Sequence, residues 1–166
     1  AAGRRTATTL PGGGQIGYSY DAVDNVTSIR DAFGGVTTYA YDGIGRQTGA
    51  TNAAGLTSSR QYDALSRITS ETDSAGVQTV YTYDGASNVL TESVAGAPAT
   101  QYSYDGTGHR SFVQDALGNQ THLHYDDAGR ITSVTDAASG AMTAVQGNFG
   151  LSTIKDPNGH VTTYQH

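Results

Sequence analysis

The sequence contains no cysteine and no tryptophan, and only one methionine and three prolines among its 166 residues. Without cysteine there are no disulfides and no thiolate metal sites, while the compartment stays open. Basic residues are scarce: nine Lys plus Arg, spread along the chain, stand against 15 Asp plus Glu, for a formal charge of -6. That balance argues against a nucleic-acid footprint and against a patch for anionic membrane. No run of about 18 apolar residues is present, so no membrane span is expected, and the opening Ala1-Ala2-Gly3-Arg4-Arg5 lacks the apolar stretch of a signal peptide. Leu, Ile, Val and Phe supply only 27 of the 166 residues, which leaves material for a thin core. Common catalytic signatures are missing as well, with no Gly-x-Ser-x-Gly, no Gly-x-x-x-x-Gly-Lys and no His-Glu-x-x-His. No enzyme activity, catalytic residue, cofactor or metal site is expected.

What the chain does have is glycine, 22 residues, and tyrosine, 11 residues, and the tyrosines are placed rather than scattered. Tyr20-Asp21, Tyr41-Asp42, Tyr62-Asp63, Tyr83-Asp84, Tyr104-Asp105 and Tyr125-Asp126 recur every 21 residues without drift. Each period holds two turns. One follows the Tyr-Asp pair, with Gly45, Ser66, Ser87, Gly108 or Gly129 three residues after the Asp. The other runs from Asp31 to Gly34, Asn52 to Gly55, Asp73 to Gly76 and Asp115 to Gly118. Asp or Asn opening a type I turn accepts a hydrogen bond from the amide two residues on, and Gly at the fourth position tolerates a left-handed backbone. Between turns the residues alternate with period two, as in Val77, Thr79, Tyr81 and Tyr83 against Gln78, Val80 and Thr82. A unit of 21 residues with two strands and two turns leaves no room for a helix. The expected fold is all-β, a sequential antiparallel meander with two strands per repeat and about 14 strands in the chain.

All eleven tyrosines occupy the two slots before the first turn, with Tyr18, Tyr39, Tyr81, Tyr102 and Tyr164 as upstream members. Equivalent tyrosines two strands apart form a column at about 10 Å intervals. Ile29, Ile68, Val89 and Ile131 in the intervening strands pack between them as the core. Full burial of Tyr83 predicts a loss of about 3–5 kcal/mol on replacement by Ala. Arg46, Arg67 and Arg130 stand four residues after the Asp, where Asn25, Asn88 and His109 stand in other repeats. A slot only half basic reads as a surface or cross-strand ion pair rather than an anion site, and Arg67→Ala is expected to cost no more than about 1 kcal/mol. His122 and His124 share one face of a strand, within reach of a common metal, but read as two surface histidines without a third ligand. Asp126-Asp127 and similar acidic turns fit no EF-hand or β-roll spacing and read as turn caps. Asn25-Val26-Thr27 and Asn119-Gln120-Thr121 match the glycosylation sequon, which matters only in a eukaryotic secretory pathway.

The pattern loosens in two places. Val94-Ala95-Gly96-Ala97-Pro98 replaces a regular turn, so a local break or bulge is expected there. Asp136-Ala137-Ala138-Ser139-Gly140 carries an extra residue, which puts Gly147-Asn148 in the next Tyr-Asp slots. The domain reading is a lead-in over 1–14, a regular array over 15–146 and a degenerate final repeat over 147–166. Because the pattern reaches both ends, the chain is expected to be a piece of a longer protein whose unpaired strand edges are completed by neighbours.

The unit Tyr-Asp-x-x-Gly-Arg-Ile-Thr-Ser-x-Thr-Asp, present from Tyr125 to Asp136, resembles the YD repeat of Rhs proteins, wall-associated proteins, insecticidal toxin-complex shells and teneurins. The resemblance covers residues 15–166. It implies a β-ribbon spiralling into a hollow shell that encloses a C-terminal toxin, or an extracellular scaffold, in a secreted or cell-surface protein of bacterial type. The implied partners are the remainder of the parent shell or copies of this chain joined through strand edges, together with an encapsulated toxin domain. A carbohydrate-binding or adhesive repeat is the alternative, with glycan as partner. The family's self-cleaving Asp-Pro-x-Gly-Leu element is not matched, since Asp156-Pro157-Asn158-Gly159 is followed by His160.

Overall fold

The computed structural model describes residues 3–136, 140–146, 151–155 and 158–165, and these contain strands, turns and connecting segments with no helix. The chain divides into two compact units, residues 1–80 and 81–166. The first holds β1 (Ala7–Thr9), β2 (Gln15–Tyr20), β3 (Val26–Arg30), β4 (Val36–Tyr41), β5 (Gln47–Thr51), β6 (Thr57–Tyr62), β7 (Ile68–Thr72) and the start of β8 (Gln78–Tyr83). The second holds the end of β8, then β9 (Val89–Val94), β10 (Thr100–Tyr104), β11 (Arg110–Gln114), β12 (Gln120–Tyr125), β13 (Ile131–Asp136), β14 (Gly140–Gln146), β15 (Leu151–Lys155) and β16 (Val161–Gln165). In each unit every strand pairs antiparallel with its neighbours in sequence, the meander expected from turns ten or eleven residues apart.

Sixteen strands are described, more than the fourteen expected. One addition, β1, lies inside the lead-in. Leu10 to Gly14 closes there with the backbone pattern of the Asp turns, the Leu10 amide donating to the Gly14 carbonyl at 2.7 Å and the Gly13 amide to the Leu10 carbonyl at 3.0 Å. Leu10 has no carboxylate, and Gly12 and Gly13, at φ of 101° and 88°, supply the left-handed backbone instead.

The Tyr-Asp turns carry a feature that the spacing did not reveal. Ser19 faces Ser28 while Tyr20 faces Val26, so Thr27 is an extra residue opposite the pair. The same bulge leaves out Thr48, Thr69, Ser111 and Thr132 in the repeats where β4 meets β5, β6 meets β7, β10 meets β11 and β12 meets β13. A hairpin built from a type I turn and a left-handed residue, followed by a bulge, adds local right-handed twist and re-aims the side chains next to it. The side chain re-aimed here is the tyrosine before the turn.

In each unit one face of the sheet is half-buried and the other is exposed. β4, β8 and β12 alternate strictly between exposed and half-buried residues, with Tyr39, Tyr41, Tyr81, Tyr83 and Tyr125 on the half-buried side. Tyr18 lies opposite Ile29, Tyr62 opposite Ile68 and Tyr125 opposite Ile131. The aromatic and β-branched pairs expected from the sequence are thus in place, but no apolar side chain among those described is fully buried. A single sheet layer of this composition has no second layer to close over it. Tyr83 is half-buried, so the condition for the large loss expected on its replacement is not met.

At Val94 to Ala97 the expected irregularity is a tight turn. Ala95 and Gly96 both have positive φ, 53° and 72°, and the Ala97 amide donates to the Val94 carbonyl at 2.9 Å. Two left-handed residues in a row match the twist of a hairpin. Pro98 falls in the short unpaired stretch before β10, where its missing amide costs no ladder bond. The extra residue expected at 137–139 and the degenerate slots at Gly147-Asn148 lie outside the described residues, although Asp136 and Gly140 at the ends of the first of these face each other across β13 and β14.

Candidate functional site

The recurring site is the joint between consecutive repeats, and it is built outward from one carboxylate. At Asp42 the main-chain amide donates to the Arg46 carbonyl at 2.9 Å and the Gly45 amide donates to the Asp42 carbonyl at 3.0 Å. The carboxylate fills the ring so formed. Its Oδ1 accepts from the amides of Ile44 and Arg46 at 3.1 and 3.0 Å, and its Oδ2 accepts from Arg46 Nε at 2.6 Å. Asp21, Asp63, Asp84, Asp105 and Asp126 repeat the two amide bonds. The second turn of the first, second, third and fifth repeats uses Asp31, Asn52, Asp73 and Asp115 in the same way.

The residue four after the Asp completes the cage, and its type varies. Arg67 and Arg130 donate through Nε to Asp63 and Asp126 at 2.7 Å, and Asn25 and Asn88 donate through Nδ2 to Asp21 and Asp84 at 2.9 Å. At the fifth pair the Thr107 hydroxyl donates to Asp105 at 2.6 Å, with His109 Nδ1 2.8 Å from the hydroxyl and 3.4 Å from Asp105 Oδ2. The expected surface ion pair is therefore a clasp inside its own turn, and Arg67, with a side chain 21% exposed, is better sheltered than a surface partner.

These donors hold the carboxylates ionised. The Asn25 amide lowers the pKa of Asp21, and the Arg46 side chain lowers that of Asp42. Backbone amides, those of Arg67 and Arg130 first, lower Asp63 and Asp126. The Thr107 hydroxyl is the main cause at Asp105, which falls to about 2, and the Asn119 side chain lowers Asp115. Hydrogen bonds to the charged form favour it.

The clasps at Asp42 and Asp105 also reach the next repeat. Arg46 Nη1 donates to the Asp63 carbonyl at 2.9 Å, and its guanidinium carbon lies 4.7 Å from the centre of the Tyr62 ring. Arg4 does the same to the Asp21 carbonyl and the Tyr20 ring, at 2.9 and 5.7 Å. His109 stacks on Tyr125, with centroids 4.8 Å apart and planes 24° apart. The tyrosine tips return the contact. Tyr20, Tyr41, Tyr62, Tyr104 and Tyr125 each donate from the phenol to the carbonyl fifteen residues earlier, on Arg5, Val26, Gln47, Val89 and Arg110, at 2.7 to 2.9 Å. At Gly129 the backbone is left-handed, with φ of 75°, and a Cβ there would stand 2.8 Å from His109 Nε2, so an added side chain would push that ring aside.

The named sequence positions thus fall together as Tyr, Asp and the fourth residue of one joint, while Gly34, Gly55, Gly76 and Gly118 hold left-handed backbone, φ 81° to 92°, at the opposite turns. The slot residue's contact with the following tyrosine went unread in the sequence, although a spacing of 16 from Arg4 to Tyr20, Arg46 to Tyr62 and His109 to Tyr125 carries it. The upstream tyrosine of the fifth pair is a separate case: Tyr102 donates to Glu92 at 3.0 Å beneath Arg110, 4.3 Å from its ring, and burial followed by Glu92 raises its phenol pKa. The concavities are open to solvent, as where Ser58, Arg60, Glu71, Val77 and Thr79 line one of them.

A sheet whose repeats are locked through paired Tyr and Asp turns defines a repeat protein of the β-meander class. The chain belongs to the RHS Repeat family, whose model matches residues 1–35, 20–57, 62–99 and 113–141, most of the sequence. The comparison with curated proteins gave no match. Among solved structures the chain is similar to the Tc holotoxin pore of Photorhabdus luminescens carrying a TccC3 mutation, with a TM-score of 0.68 and 14% identity over 90% of this chain and 9% of that one. It is similar also to the TcdB2–TccC3 crystal structure, with a TM-score of 0.70 and 15% identity over 90% of this chain and 10% of the other. At such identities the likeness is one of fold, and the chain spans about a tenth of the length of the solved structures it matches.

Proposed function

We propose that this chain is a non-catalytic wall segment of a larger secreted or cell-surface protein of bacterial type, a shell or scaffold that encloses a C-terminal toxin or effector. In this reading Tyr20-Asp21 and its equivalents are the anchors of the wall. Residues 15–146 form its regular part, with 1–14 as lead-in and 147–166 as a degenerate end. The observation that carries the reading is that the polar joints between repeats are fully formed while the apolar surface is left uncovered. Val23, Ile44 and Leu65, at the tips of three successive Tyr-Asp turns, are 75%, 74% and 67% exposed, and Phe33 at the opposite turn is 100% exposed. Uncovered apolar side chains in a row mark a surface made to be covered. One of the solved structures of like fold is a Tc holotoxin pore, which supports a toxin as the enclosed partner.

The test is limited proteolysis of the parent polypeptide beside the isolated 166-residue chain. Enclosure predicts that the turns at Val23, Ile44 and Leu65 are cut in the isolated chain and protected in the parent, and that a C-terminal effector is digested only after the wall is opened. An effector digested freely while the wall is intact would sink the proposal.

A further inference from the structure

We propose that His122 and His124 form a chelating pair for a divalent first-row transition ion, Cu²⁺ above all, on the exposed face of β12. They stand two residues apart in a strand of strict alternation, so both side chains project from the same face, with Cα atoms about 7 Å apart. Two imidazole nitrogens at that separation can converge on one ion at the usual bond length of about 2.0 Å. Both residues are exposed, and among the described residues neither imidazole has a hydrogen-bond or ion-pair partner that a metal would have to displace. The surroundings limit their motion. Phe112 faces His122 from β11 with ring centroids 4.9 Å apart and planes tilted by 53°, and Thr135 and Ser133 face His122 and His124 from β13.

The donor set chooses the metal. Two imidazole nitrogens completed by water suit Cu²⁺, Ni²⁺ and Zn²⁺ and are poor ligands for Ca²⁺ or Mg²⁺, and among the divalent first-row ions Cu²⁺ binds such sites most tightly. No group of three or more His, Cys, Asp and Glu gathers among the described residues, so the remaining positions on the ion are filled by water or by an incoming donor. The site is thus open, unlike a structural zinc centre, in which four protein ligands close the sphere. An open site of this kind gives the face a coordination point for an external ligand, separate from the joints that hold the repeats together.

The experiment titrates the whole chain with CuCl₂ by calorimetry and records the electron paramagnetic resonance spectrum of the product. The expected result is one equivalent of Cu²⁺ with nitrogen hyperfine structure. His122→Gln and His124→Gln should each weaken binding by at least the tenfold or so that loss of even an outer partner costs a metal site. His160→Gln should leave it unchanged. Circular dichroism of each variant separates loss of ligand from loss of fold, which exposed positions should not cause. Absence of Cu²⁺ binding, equal affinity in the His122→Gln/His124→Gln double variant, or equal binding of Ca²⁺ would overturn the proposal.

Discussion

The Arg46 guanidinium lies over the Tyr62 ring at 4.7 Å while its Nε holds the Asp42 carboxylate at 2.6 Å, so one side chain closes its own turn and seats the aromatic ring of the next repeat. That double engagement distinguishes it from Arg60, whose Nε meets Glu71 at 3.5 Å with both side chains well exposed. Arg46→Ala should therefore lower the denaturant midpoint clearly more than Arg60→Ala, for which about 1 kcal/mol is the ceiling of an exposed pair. Equal losses would show that the clasp contributes nothing beyond an ordinary surface ion pair.

Tyrosine hydroxyls give a second contrast. The phenol of Tyr62 donates to the Gln47 carbonyl at 2.7 Å, whereas Tyr39, equally half-buried, has no such bond among the described residues. Tyr62→Phe should cost about 1 kcal/mol and Tyr39→Phe close to nothing. Urea unfolding of the two variants reads the difference directly, and an equal response would deny the phenol bond its role in the joint.

Two glycines in one turn should respond with opposite sign. Gly45 has φ of 84°, and alanine there is expected to cost about 1 kcal/mol. Gly43 has ordinary backbone, and nothing lies within 4 Å of where an added methyl group would stand, so alanine should stabilise by about 0.4–1 kcal/mol through the unfolded chain. A thermal melt of each variant decides it, and a loss at position 43 would contradict the turn geometry.

Acid should loosen the joints. The carboxylates of Asp21, Asp42, Asp63, Asp105, Asp115 and Asp126 have folded pKa values below the ordinary one. Their contribution is complete above the unfolded value of about 3.9 and is lost as pH falls through the folded values. At Asp105 that loss extends down to about 2. The denaturant midpoint should change little through these groups near neutrality and drop steeply in acid, and Asp105→Asn should flatten the acid limb. A midpoint insensitive to pH between about 5 and 2, the range in which depressed carboxylates titrate, would show that the cages do not depend on charge.

Much of this was legible because Tyr and Asp sit at fixed phase. Asp-x-x-Gly is enough to specify an amide-capping carboxylate, and period-two alternation is enough to specify strands. Less visible was the left-handed backbone at Asp24, Ser66 and Ser87, with φ of 73°, 64° and 72°, because those residues stand where other repeats have glycine. The bulge at Thr27 and its equivalents was hidden for a different reason: an extra residue in one strand changes pairing without changing the spacing of the anchors. The clasp was half legible. A basic residue four after Asp announces an ion pair, but nothing local announces that its far side meets a ring sixteen residues on, since that contact exists only once neighbouring repeats lie side by side. Expecting a buried core overestimated what one sheet layer can cover.

The phenol bonds give the sheet a direction of growth. In the joints of Tyr20, Tyr41, Tyr62, Tyr104 and Tyr125 the tyrosine belongs to the later repeat and the carbonyl it seeks to the earlier one, fifteen residues upstream. A chain emerging amino-terminus first therefore presents each new tyrosine with a dock already synthesised, and a repeat can settle as soon as its own ring is free. During synthesis such a ribbon needs no completed whole to begin folding, because each unit makes its contacts mainly with its neighbours and the earlier neighbour is already there.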